Sequence, residues 1–169
     1  MFIGEALSAR VSYYELAVDG GERSKTKSSG LCISTGTGST SWTFNINKLT
    51  HQSVEDLLQL IKEETNLPID ARNQQLINKI TAKFNNNLIF GPEVSLMGYT
   101  VRDPVSDGVQ PFPGERKSRG FANSLEIRSR CFDASLVIDG GLSFRFNDGT
   151  IALLTIHDED SLKTVALVE

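Results

Sequence analysis

The chain is 169 residues long, the size of one ordinary domain or two small ones. Apolar residues make up 39% and charged residues 22%, which excludes a disordered chain and a fibrous repeat. Lys and Arg number 17 against 21 Asp and Glu, a net charge of −4, which argues against broad binding to nucleic acid or an anionic membrane.

Met1-Phe2-Ile3-Gly4-Glu5 has no charged n-region, no long apolar core and no Arg-rich transit character. The chain reads as starting inside a strand, either as a native N-terminus or as a cut through a longer protein. Ser12–Val18 is rich in strand formers and runs into Asp19-Gly20-Gly21, a strong hairpin signal. Lys25-Thr26-Lys27 is the polar return strand. Leu31-Cys32-Ile33 is a short apolar strand, followed by a loop of small residues, Ser34 to Thr40.

The period then changes. Val54, Leu57, Leu58 and Ile61 recur at i, i+3, i+4 and i+7, which predicts an amphipathic helix capped by Thr50 or Ser53. Asn66-Leu67-Pro68 ends it. A second helix is predicted from about Asp70 to Asn85, with Leu76, Ile77, Ile80 and Phe84 on one face. From Leu88 the chain reads as extended, through Tyr99–Arg102. Residues 106–120 are predicted as a long loop. Short strands follow over 124–130, 135–138, 142–146, 151–156 and 162–168, with Asp139-Gly140-Gly141 and Asn147-Asp148-Gly149 as turns. The expected fold is α+β: a largely antiparallel, sandwich-like β body with an inserted helical pair. No run approaches a membrane span.

Few residues suggest chemistry. Cys32 and Cys131 lie in apolar runs and read as reduced core thiols. His51 and His157 are far apart in sequence and lack partners at metal-ligand spacing, so no bound metal is expected. No Gly-x-Ser-x-Gly elbow occurs. Arg116, Lys117, Arg119, Arg128 and Arg130 form a basic stretch, of a kind that usually faces water. Asp139 closes an apolar strand before two glycines, as a hairpin turn residue or as a carboxylate facing a cleft. The richest segment is Cys32 to Trp42. Its glycines let a ligand approach the backbone, its hydroxyls and amides are clustered, and Trp42 offers a flat surface. A plain strand-to-helix turn accounts for the same spacing, and a lone Gly-x-Gly is weak.

In this context Thr35-Gly36-Thr37-Gly38-Ser39-Thr40-Ser41-Trp42 resembles the NAD kinase family, whose segment reads close to Thr-Pro-Thr-Gly-Ser-Thr-Ala-Tyr. Arg102-Asp103-Pro104-Val105 and Val137-Ile138-Asp139-Gly140-Gly141 resemble further segments of that family. Gly36, Trp42, Ser29, the helical insertion at 50–87 and residues 129–134 look most like its mitochondrial branch. Ser29 stands where many members have Asp, and Trp42 where they have Tyr.

The resemblance implies an enzyme that transfers the γ-phosphoryl of ATP, with Mg2+, to the 2′-hydroxyl of the NAD adenosine ribose. It implies that residues 1–169 are the NAD-binding, C-terminal domain, in a mitochondrial protein that pairs as a homodimer. Thr37, Gly38, Ser39, Thr40, Ser41, Trp42 and Asn45 would line the NAD pocket, with Ser29 and Asp139 as further lining positions. The family's Gly-Gly-Asp-Gly, which carries the catalytic Asp, does not occur here, so the chain alone is expected to be inactive. Met1 is then read as a cut between two domains. The alternative is a non-catalytic nucleotide-binding or oligomerising module of the same superfold. A lipid kinase relative is disfavoured by the Thr-Gly-Ser-Thr run.

Overall fold

The computed structural model describes residues 1–105 and 118–163. They fall into two compact units. One comprises Met1–Gly36 and the described residues from Pro92 onward, the other Thr37–Gly91.

The first unit is a sandwich of two antiparallel sheets. Its strands are β1 (Phe2–Glu5), β2 (Ser12–Val18), β3 (Ser24–Ser28), β4 (Gly30–Ser34), β5 (Met97–Arg102), β6 (Arg119–Ala122), β7 (Ser124–Ser129), β8 (Ala134–Ile138), β9 (Leu142–Arg145) and β10 (Ile151–Thr155). One sheet runs β6-β5-β4-β1-β8-β9 and the other β10-β7-β2-β3. Strand alternation places the core. In β7, Leu125, Ile127 and Ser129 turn inward while Ser124, Glu126 and Arg128 do not, as period 2 requires. Leu125 and Ile127 lie opposite Val18 and Leu16 of β2. Ile3, Leu31, Ile33, Met97, Tyr99 and Val101 of the larger sheet close over Tyr14, Leu16, Leu125 and Ile127 of the smaller. Each large apolar side chain buried this way contributes about 1.5–3 kcal/mol. Phe146, also buried, belongs to the same core.

Turn chemistry sets the register. Asp19 and Gly20 both have positive φ (49° and 74°), and Gly21 N–H donates to Val18 C=O at 2.9 Å. This is the primed turn that a right-twisted hairpin favours. Asp139 and Gly140 repeat it (47° and 71°) between β8 and β9. The Asp19 carboxylate also accepts from the N–H groups of Asn123 and Ser124 at 2.7 and 2.9 Å. Gly30 has φ 132°, and a Cβ there would stand 2.7 Å from the Ile3 carbonyl and against the Phe2 ring. Only glycine fits where β4 passes β1.

The second unit is helical. A 3₁₀ turn, Gly36–Thr40, leads to α1 (Trp42–Asn47), α2 (His51–Thr65) and α3 (Gln74–Asn86). Thr50 caps α2, its hydroxyl accepting from Ser53 N–H at 3.1 Å. Asn66 ends α2 in the left-handed region, φ 53°. Val54, Leu58, Ala71 and Ile77 form its core, with Leu49, Ile69, Leu76 and Ile80 packed against them.

The α+β architecture with its helical pair is borne out, with local corrections. The second helix begins at Gln74, not Asp70, because Asn73 is the cap and accepts from Leu76 N–H at 3.0 Å. Asp70 instead holds a preceding turn through Arg72 N–H. Leu57 and Ile61 are exposed, so the apolar stripe of α2 is wider than the helix pair buries. Residues 88–96 are irregular, and the strand predicted from Leu88 starts at Met97. Residues 119–120, predicted as loop, begin β6, which pairs with β5. Residues 106–117 lie outside the described part. So does most of the predicted strand 162–168, and Leu162 and Lys163 are not in a strand.

Candidate functional site

The segment from β4 into α1 carries the richest chemistry. Leu31, Cys32 and Ile33 are buried in the larger sheet. Beyond Ser34 the small residues lose strand pairing and wind into the 3₁₀ turn, closed by Ser41 N–H donating to Gly38 C=O at 3.1 Å. The turn passes directly into α1, and Asn45 N–H donates back to Ser41 C=O at 3.2 Å. Ser41 occupies the N-cap position but makes no side-chain capping bond.

Side-chain directions divide this run. Thr37, Thr40, Ser41 and Asn45 are exposed, Gly38 is half-buried, and Trp42 is 46% exposed. Ser39 is fully buried. Its hydroxyl donates to Phe90 C=O at 3.2 Å and accepts from Phe90 N–H at 3.4 Å. Asn45 Nδ2 donates to Ser41 C=O at 3.0 Å, and its Oδ1 accepts from Lys48 Nζ at 2.8 Å. The exposed residues of this run carry hydroxyls, an amide and an indole. That set suits a polar ligand with a flat ring.

Ser29 and Asp139 belong to the sandwich. Ser29 is half-buried between β3 and β4, and its N–H donates to Arg102 C=O at 2.9 Å. Asp139 is exposed at the β8–β9 turn. The register Phe2↔Cys32 and Phe2↔Val137 places them at opposite ends of the larger sheet. One compact pocket therefore does not include both.

Elsewhere the charges serve structure. Arg130 bridges Glu15 and Asp148 at 3.0 and 3.2 Å. Arg23 pairs with Glu126. Neither cysteine is in a disulfide and both are buried, and burial pushes the Cys131 thiol upward, making it a poor nucleophile. His51 opens α2 at the surface, and His157 meets Thr155 Oγ1 at 2.9 Å. Among the described residues no group of three His, Cys, Asp or Glu is placed to hold a metal ion. No helix of the described residues is long and apolar enough to cross a membrane.

Two features escape the sequence reading: the buried role of Ser39 and the role of Asn85. Asn85 Oδ1 accepts from Leu49 N–H at 2.8 Å while its Nδ2 donates to Leu49 C=O at 3.0 Å. Both residues sit among near-identical neighbours, Ser/Thr in one case and Asn85-Asn86-Asn87 in the other, so residue type gave no signal.

No family model matches the sequence. Among curated proteins, the chain is 47% identical over 167 residues to "NAD kinase 2, mitochondrial" of Homo sapiens, covering 99% of this chain and 37% of that protein. The proteins of the same name from Rattus norvegicus and Xenopus tropicalis are 46% and 41% identical over 99% of the chain. The chain spans about two fifths of the length of these relatives. Among solved structures, an NAD kinase from Archaeoglobus fulgidus in complex with ATP superposes with TM-score 0.54 at 16% identity, over 93% of this chain and 44% of that one. Yeast NADH kinase complexed with NADH superposes with TM-score 0.51 at 14% identity, over 90% and 31%. At those identities the structures speak for the fold alone. The resemblance read from residues 35–42 thus extends along the whole chain, and its mitochondrial branch is the one these curated relatives represent.

Proposed function

From a chain that resembles NAD kinases along 99% of its length, we propose that it is the NAD-binding portion of a mitochondrial NAD kinase. The complete enzyme transfers the γ-phosphoryl of ATP, with Mg2+, to the 2′-hydroxyl of the NAD adenosine ribose and yields NADP. The single observation that carries this reading is 47% identity to one such enzyme, sustained over 167 residues.

In this reading Thr37, Gly38, Ser39, Thr40, Ser41, Trp42 and Asn45 form the NAD-binding run. The exposure of Thr40, Ser41 and Trp42 supports it. Their hydroxyls suit the polar edges of a base or carboxamide, and the indole suits stacking on a ring. Ser29 and Asp139 are the sandwich's own candidate lining positions, at opposite ends of its larger sheet. Phosphoryl transfer needs a base near the attacking hydroxyl and a metal–nucleotide cradle. No Gly-Gly-Asp-Gly stands in these 169 residues. The chain alone therefore binds NAD and does not phosphorylate it. It pairs with a second copy of the same domain.

Calorimetric titration of the chain with NAD tests this. We expect saturable binding that Thr40→Val and Trp42→Ala each weaken by about threefold to tenfold, the loss of one hydrogen bond or one stacking contact. NADP formation from ATP and NAD should be absent. Binding that neither change weakens overturns the site, and no binding at all overturns the reading for this chain.

A further inference from the structure

The run from Thr37 to Asn45 cannot hold its shape alone. α1 has only six residues and buries no side chain, and isolated helices of that length are unstable in water. Among the ties that hold the run, two are each made by a side chain that both donates to and accepts from the backbone of one residue. Ser39, from inside the 3₁₀ turn, meets the N–H and C=O of Phe90. Asn85, from the end of α3, meets the N–H and C=O of Leu49, just beyond α1. Each contact spans a long stretch of chain, 51 residues for Ser39 and 36 for Asn85. The two latches flank the exposed Thr40, Ser41, Trp42 and Asn45. Between them lie α2 and α3, packed together through Val54, Leu58 and Ile77.

We propose that Ser39 and Asn85 are positioning residues of the nucleotide run, fastening its two ends to the far side of the α2–α3 insertion and so fixing the rotation at which Thr40, Ser41 and Trp42 face outward. Ser39 on this account does not touch the ligand. Its hydroxyl is turned into the unit, and it acts through Thr40 and Ser41. The helix pair is then a brace for the site. The affinity part of this inference rests on the proposed function, whereas the ordering of the run does not.

Trp42 is the only tryptophan of the chain and stands between the latches, so its emission reports the run directly. The experiment measures acrylamide quenching and anisotropy of Trp42, far-ultraviolet circular dichroism and NAD affinity for the full chain and for Ser39→Ala, Ser39→Thr, Asn85→Leu and Asn85→Asp. Ser39→Ala and Asn85→Leu should raise quenching and lower anisotropy with helix content unchanged. They should also weaken NAD binding about threefold to tenfold. Ser39→Thr keeps the hydroxyl and should return both readouts toward wild type. Asn85→Asp keeps the acceptor for Leu49 N–H, loses the donor and should fall between. If Ser39→Ala does not fold, the ordering of Ser39→Thr, Asn85→Asp and Asn85→Leu decides. Variants that melt earlier but keep wild-type Trp42 emission overturn the proposal, since that is the behaviour of merely structural bonds. If wild type binds no NAD, the functional reading fails while Trp42 still decides the latches.

Discussion

Ser39, Thr40 and Ser41 carry the same functional group, yet the fold gives each a different role. Ser39 is buried against Phe90, whereas Thr40 and Ser41 face outward. The residue scale also holds a pH response. Tyr14 is almost fully buried, and its hydroxyl shares a 2.9 Å hydrogen bond with Ser28. Burial pushes its pKa far above the ordinary phenol range, against a smaller lowering by Ser28. The folded chain thus holds the Tyr14 proton more tightly than the unfolded chain. Its contribution is fully present below pH about 10 and is lost above it, by up to about 1.4 kcal/mol per pH unit for one group. Tyr99 and Cys131 shift in the same direction, each mainly through burial. Urea unfolding between pH 8 and 11 should show stability falling from about pH 9 as Cys131 contributes and more steeply above about pH 10, and Tyr14→Phe should make the fall above pH 10 shallower. An unchanged slope contradicts this. None of this is written in residue type. Tyr13 and Tyr14 are adjacent, and only strand phase, Tyr13 outward and Tyr14 inward, separates them.

At the scale of elements, most of what the sequence announces comes from periodicity and caps. β7 alternates as expected and ends at Ser129, one residue short of the expected 124–130. Thr50 starts α2, and Asn66 stops it. The start of α3 differs from the sequence expectation because Asp70 and Asn73 are both competent caps three residues apart. Asn73 prevails, since Asp70 is engaged in its own turn. β6 escaped because Arg-Gly-Phe-Ala has neither alternation nor β-branched residues, and only pairing with β5 makes it a strand. The helix pair stands on a small core in which Ile77 is 1% exposed. Ile77→Ala should cost about 2–5 kcal/mol, the usual range for such a deletion. It is to be read as loss of helical ellipticity at lower urea concentration, and a cost below 1 kcal/mol would show that the pair is held chiefly from elsewhere.

At the scale of the whole molecule, the class of fold was legible and the strand order was not. β1 sits between β4 and β8, two strands remote from it in sequence, and β9 and β10 are sequence neighbours in different sheets. Short-range turn signals carry no information about such pairings, since nothing local distinguishes one apolar strand partner from another. The site was legible only through resemblance. Its spacing alone was equally that of a strand-to-helix turn, and the resemblance singled out the segment without separating Ser39 from its neighbours.

β4 and β5 are antiparallel partners in register from Gly30↔Arg102 to Ser34↔Gly98, so the chain leaves the sheet and returns to it on adjacent strands. All of Thr37–Gly91 is thus, topologically, the loop of one hairpin. A shorter loop lowers the entropic cost of closing that pair. The two units should be separable by surgery: joining Gly36 to Pro92 ought to leave a sandwich with a β-type circular dichroism spectrum and a cooperative melt and, under the proposed function, no NAD affinity. A chain that fails to fold after this excision would show that the sheet depends on its insert. A chain that folds would mark the insert as an exchangeable cassette, carried on a scaffold that stands without it.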